Sequence, residues 1–162
     1  MNKTPSSTYK IRFNDCDMFG HLNNARYLDY MINAREDHLK EHYNFNMAES
    51  YKNDAGWVAG SHEIVYMRPA VYNEIVSIQS QLIYADNFML HVEIVMTDEI
   101  QKHIKAVMRT KLIPVNIKTG RRDPHKPGFL EWVSSLIDKD ADVEADFQER
   151  IKQLSQQFKK TN

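Results

Sequence analysis

The chain has 162 residues, 42% of them hydrophobic, enough for one compact domain with a real core and too few for a second. Lysine and arginine number 21 against 22 aspartates and glutamates, a formal charge of -1, which removes any overall electrostatic case for nucleic acid or an anionic membrane as the main partner. The single cysteine, Cys16, has no partner for an internal disulfide, residues 1–7 lack the apolar core of a signal peptide, and no run of about 18 apolar residues could span a membrane. A reducing cytoplasm is the expected location.

From Thr8 to Asn14, Tyr9, Ile11 and Phe13 alternate with Lys10, Arg12 and Asn14, the period of a strand with one buried face. Ala25, Leu28, Met31, Ile32 and Leu39 then recur at helical spacing, and no proline or glycine interrupts the chain from His21 to Gly56. This predicts a helix over roughly 24–42 with Asn23 as its N-cap. A strand from about Trp57 to Arg68, closed by Pro69, is followed by two more. In the first of these, Val76, Ile78, Leu82 and Tyr84 face away from Ser77, Gln79 and Gln81. In the second, Phe88, Leu90, Val92, Ile94 and Met96 alternate with His91 and Glu93. Asp86-Asn87 between them reads as a two-residue hairpin link tolerant of positive φ.

A further strand from about His103 to Val115 places Ile104, Ala106, Met108 and Leu112 on one face. After the basic loop Lys118-Thr119-Gly120-Arg121-Arg122, a short helix of about 128–137 carries Phe129, Trp132, Val133 and Leu136. A last helix from about Asp142 bears Val143, Phe147, Ile151, Leu154 and Phe158 as one apolar stripe. That stripe is too regular for a disordered end and is expected to dock on its own domain or across an oligomer. The order is α+β: one strand, a long helix, then four antiparallel strands curling around it to bury both apolar surfaces. The division expected is a flexible 1–7, a domain over 8–138 and an amphipathic helix in 139–162.

The chemistry concentrates in Asp15-Cys16-Asp17-Met18-Phe19-Gly20-His21-Leu22-Asn23-Asn24, which puts a carboxylate just before a glycine turn that opens the long helix. Helix-start N–H groups and the positive end of the dipole stabilise a developing oxyanion, while an ionised aspartate can attack or strip a proton from water. An isolated aspartate before a turn is more often an Asx-turn or capping residue, and Asp15 is expected to keep that capping role. Cys16 alternates away from Asp17 and reads as a packed thiol. His21 lies four residues after Asp17, yet two ligands do not make a metal site, and no metal or other cofactor is expected.

The strand Tyr9 to Asn14, the run Asp15-Cys16-Asp17-x-x-Gly20-His21-x-Asn23-Asn24, Tyr27-Leu28-x-Tyr30 and Ala34-Arg35 resemble the hot-dog-fold acyl-CoA thioesterases of the 4-hydroxybenzoyl-CoA thioesterase type. The likeness runs to about residue 137, with 11–35 its specific part. It departs at Ile32-Asn33, where family members often carry glutamate, and at Tyr72-Asn73-Glu74, where Gly-Asp is usual. The resemblance implies a hot-dog fold, Asp17 as the catalytic carboxylate, and a helix start at Gly20, His21, Asn23 and Asn24 that binds the thioester carbonyl. It also implies a homodimer or dimer of dimers with active sites between subunits, in which His62 and Glu63 would line the partner's pocket. Arg121 and Arg122 suit coenzyme A phosphates, since guanidinium groups match phosphate geometry, and equally suit a solvated loop. The reading is therefore an acyl-CoA hydrolase, with a hot-dog hydratase or dehydratase and a noncatalytic acyl-thioester-binding module as the alternatives.

Overall fold

A computed structural model describes residues 2–137 and 146–160. Strand β1 (Ser6–Lys10) leads through a single 3-10 turn, Phe13–Asp15, to helix α1 (Asn24–Tyr43). A six-residue helix α2 (Met47–Lys52) precedes strands β2 (Ala55–Tyr66), β3 (Ile75–Asp86), β4 (Met89–Asp98) and β5 (Ile104–Asn116). Helices α3 (Pro127–Ser135) and α4 (Phe147–Lys160) complete the described chain. The strands form one antiparallel sheet in the order β1-β3-β4-β5-β2, so β2 is a long edge strand and β1 a short one.

Helix α1 forms where its cap and period place it. The Asn23 side chain accepts the Ala25 N–H, and the far end closes on Asn44 in the left-handed region. Its buried stripe of Tyr27, Met31 and Ala34 packs on Val76, Ile78 and Leu82 of β3, Val92, Ile94 and Met96 of β4, and Ala106 and Met108 of β5. The opposite face of the sheet is not left to water. Phe147, Ile151, Leu154 and Phe158 of α4 bury themselves against Val95, Ile104 and Val107, so the apolar stripe docks on its own domain. The proposed helix start at Asp142, together with Val143, lies outside the described residues.

Several local expectations are corrected. The first strand begins earlier and ends at Lys10, so Ser6 and Ser7 pair with Gln79 and Ile78. The backbone turns once the Ile11 N–H bonds to Glu74 and Cys16 bonds back to Phe13, which leaves Phe13 75% exposed instead of packed beside Ile11. The β3–β4 link is Asn87-Phe88. Its closure comes from the Asp86 carboxylate accepting the Phe88 N–H at 2.7 Å, and neither Asp86 nor Asn87 has positive φ. Tyr84 stays partly exposed because a bulge between Leu82 and Tyr84 breaks the alternation. Ile104 turns to the outer cluster after the register shifts between Met96 and Thr97. Glu93, a polar-face residue by pattern, is completely buried because α4 covers that face.

Candidate active site

The segment 15–24 folds back on itself as a tight loop. Asp17 donates its N–H to the His21 carbonyl at 2.8 Å, Cys16 and Leu22 form an antiparallel bridge, and the Asn23 N–H bonds to the Asp15 carbonyl at 2.9 Å. Asp17 and His21 thus face each other near the tip, with the helix start below. Gly20 has φ +75°, a conformation a Cβ would strain, and its N–H closes the turn on the Asp17 carbonyl at 3.0 Å. The Asp17 Oδ1 accepts two backbone N–H groups, from Phe19 at 2.9 Å and His21 at 3.1 Å. These bonds fix the carboxylate plane while Oδ2 keeps no partner among the described residues, and the side chain is exposed.

Hydrogen bonding sorts the four expected oxyanion positions. The N–H groups of Gly20, His21 and Asn23 are spent inside the loop, whereas that of Asn24, the first helical residue, has no acceptor among the described residues. Asp15, expected to act as a cap, does something else. Its Oδ2 accepts the Tyr30 hydroxyl at 2.7 Å and its Oδ1 lies 3.6 Å from Arg26 Nε, so the capping of backbone N–H groups falls to Asp17. Cys16 is half-buried, and burial, followed by the charges of Asp15 and Asp17, raises its thiol pKa, which suits a packed and unreactive group.

A cavity of about 490 Å³ opens between α1, α2 and α3 and the strands β2, β4 and β5. One wall is aromatic: Phe45 stacks on Trp132 with centroids 5.3 Å apart, and Trp57 and Phe129 lie 5.2 Å apart. His125 locks this wall in place, taking the Trp57 Nε1–H at 2.9 Å on Nε2 while its Nδ1 meets the Asp86 carbonyl at 2.7 Å. Residues of the Asp17 loop do not line this cavity. A second hollow of about 450 Å³, lined by Asp15, Arg26, Tyr30, Asp29 and Asn33, shares Asp29 and Asn33 with it, so a groove follows α1 from its N-terminal turn toward the cavity.

The remaining expected residues are scattered. His62 lines the main cavity with its Nδ1 2.9 Å from Thr110 Oγ1, while its neighbour Glu63 is exposed and does not line it. Arg122 lies over the Phe88 ring, 4.7 Å from its centroid, and donates to the Phe88 carbonyl; Arg121 is exposed on the same loop. Both are outside the cavity lining. Among the described residues no group of three or more His, Cys, Asp or Glu side chains converges as a metal site would require. Sequence reasoning missed the cavity wall itself, though the aromatic spacing Phe129-x-x-Trp132 on a short helix was a visible signal of an apolar face.

Residues 11–133 match the model of the thioesterase-like superfamily, and the chain belongs to that family, with an α+β hot-dog fold. It is 36% identical over 73 residues to the long-chain acyl-CoA thioesterase FadM of Escherichia coli, a match covering 45% of this chain and 54% of that protein. The match thus spans only about half the length of that curated relative. Among solved structures, YbaW, a probable thioesterase from Escherichia coli, superposes with a TM-score of 0.70 at 24% identity, covering 82% of this chain and 98% of that one. A DHNA-CoA thioesterase from Staphylococcus aureus superposes with a TM-score of 0.74 at 14% identity, covering 95% and 94%. No helix among the described residues is long and apolar enough to cross a membrane.

Proposed function

We propose that the protein hydrolyses an acyl-CoA thioester to the free acid and coenzyme A, with Asp17 as the reacting carboxylate. The observation that carries this reading is the Asp17 carboxylate itself, anchored through Oδ1 and open through Oδ2. A thioester carbonyl directed at the unpaired Asn24 N–H would have its developing negative charge stabilised at the helix start. The free oxygen then either takes a proton from water as the hydroxide adds to the carbonyl carbon, or adds directly to give an anhydride that water opens. In both routes the C–S bond breaks and the sulfur leaves as thiolate. Single-turnover hydrolysis in heavy-oxygen water detects an anhydride that water opens at the Asp17 carbonyl, because the bridging Asp17 oxygen then leaves, unlabelled, with the first product acid.

The functional unit in this reading is a dimer. Among the described residues β2 pairs only with β5, its run 58–63 is exposed, and Met18 and Phe19 beside Asp17 are 90% and 77% exposed. An open 12-residue edge and apolar side chains flanking a reactive group are features that a second copy would cover. Support for the substrate class comes from the family match and the apolar cavity, and a reducing cytoplasm suits the free Cys16. The test is free-thiol release across a panel of acyl-CoAs, with light scattering at assay concentration. Thiol release by a dimer supports the reading; water addition to an enoyl-CoA without thiol release makes the protein a hydratase, and binding without turnover makes it a carrier module. An active monomer sinks the dimer.

A further inference from the structure

One residue of the cavity lining is a cation with no carboxylate partner among the described residues. Arg35, midway along α1, lines the cavity and is only 8% exposed. Its guanidinium donates to Ser80 Oγ at 3.3 Å, hydrogen-bonds Tyr43, and lies 5.8 Å from the Tyr43 ring centroid. All these partners are neutral. Among the described residues no carboxylate comes within ion-pair distance of it. The charged groups nearest in sequence or sharing the cavity are otherwise engaged or solvated: Asp29 pairs with Arg26 at 2.9 Å, Glu36 is exposed, and Asp37 accepts the Tyr9 hydroxyl at 2.6 Å. His38, whose Nδ1 sits 2.7 Å from the same Ser80 hydroxyl, adds no charge at neutral pH.

Taking an unpaired guanidinium out of water costs several kcal/mol, and hydroxyl and ring contacts return only part of that. The contrast within the same molecule is direct, because the other deeply buried arginines, Arg109 and Arg150, both hold the Glu93 carboxylate. Ser80 and Tyr43 leave Arg35 with further N–H donors in a planar fork, the arrangement that matches a carboxylate. The aromatic wall of Phe45, Trp57, Phe129 and Trp132 would enclose an apolar chain leading to it.

We propose that Arg35 is an anion receptor inside the acyl cavity, and that the substrate acyl group carries a carboxylate at the end remote from the thioester. This rests on the acyl-CoA hydrolase reading and adds to it a specificity: the product would be a dicarboxylic acid. Asp29 and Glu36 line the same cavity but are exposed, where water screens their repulsion of an entering anion.

The experiment compares length-matched pairs of ω-carboxyacyl-CoA and methyl-ended acyl-CoA by thiol release, in the wild-type chain and in Arg35→Met and Arg35→Lys. At the favoured length the wild type should prefer the carboxylate member in kcat/KM by at least about tenfold, a ratio that Arg35→Met abolishes and Arg35→Lys partly keeps. Equal or opposite preference at every length, or a ratio unmoved by Arg35→Met, overturns the proposal. A second readout needs only a folded wild-type chain: a free dicarboxylate should raise its melting temperature more than the monocarboxylate of the same length, and equal shifts also overturn it. Absence of thiol release from every thioester would refute the hydrolase reading, and the dicarboxylate measurement would still decide the receptor.

Discussion

Two carboxylates in this protein are held by hydrogen bonds in opposite ways. Glu93 on β4 is 0% exposed and both of its oxygens are saturated: Oε1 accepts from Gln81 at 2.9 Å and from Arg150 Nη2 at 2.9 Å, and Oε2 from Arg109 Nε at 3.0 Å. Asp17 has one oxygen bound by two backbone N–H groups and the other facing solvent. Saturation turns a carboxylate into a fastening, here between α4 and the sheet. Half-saturation orients it and leaves a lone pair for chemistry. Burial alone selects Glu93 as the notable acid, although both of its oxygens are already spent on internal partners.

Substitution at each position should separate the two roles. Asp17→Asn keeps the shape and removes the charge, so thiol release should fall by roughly 10² to 10⁴ with an unchanged melting temperature. Near-normal turnover would end its assignment. Glu93→Gln strands two buried guanidinium groups and should cost about 3–5 kcal/mol in chemical denaturation while turnover per folded molecule holds. If it abolished turnover at full stability, the comparison would collapse.

Titration sharpens the contrast further. Burial, followed by the neighbouring Arg35 and His42 charges, lowers His38 to about 4, and burial with Arg109 and Lys111 does the same to half-buried His91. Both are neutral in the fold, whereas in the unfolded chain each takes a proton near pH 6.5. Their stabilisation is therefore complete above about pH 6.5 and is lost as pH falls toward 4, with roughly 3 kcal/mol as the ceiling for His38. Denaturation midpoints across that window check this, and a flat profile would contradict it. The smallest effect belongs to Asp15→Asn, which weakens the contacts to Tyr30 and Arg26 and should cost about 1 kcal/mol with turnover retained. Loss of turnover with intact folding would mean that the reacting carboxylate is Asp15.

The long elements were legible because their periods agree with their burial. α1 follows its Asn23 cap, the hairpin of β3 and β4 follows its alternation, and α4 follows a stripe whose described members are all buried. Phe13 misled because it continues the alternation of β1 after the chain has already turned. α2 escaped because it has no buried residue and hence no period to detect. Asp17 and the helix start stood out as a contiguous motif, and Cys16 as a packed thiol, but which N–H groups are free depends on how the loop closes. The Glu93–Arg150 contact spans 57 residues, and the cavity draws its lining from six separate elements, α1, α2, β2, β4, β5 and α3. No local window contains either.

Both tryptophans of the chain, Trp57 and Trp132, line the same cavity, and the Trp57 indole N–H is committed to His125. The protein's tryptophan emission therefore originates entirely from the wall of one chamber. Water leaving that chamber, or a guest settling against the rings, changes the polarity around both fluorophores at once, so the unlabelled chain carries its own optical gauge of occupancy.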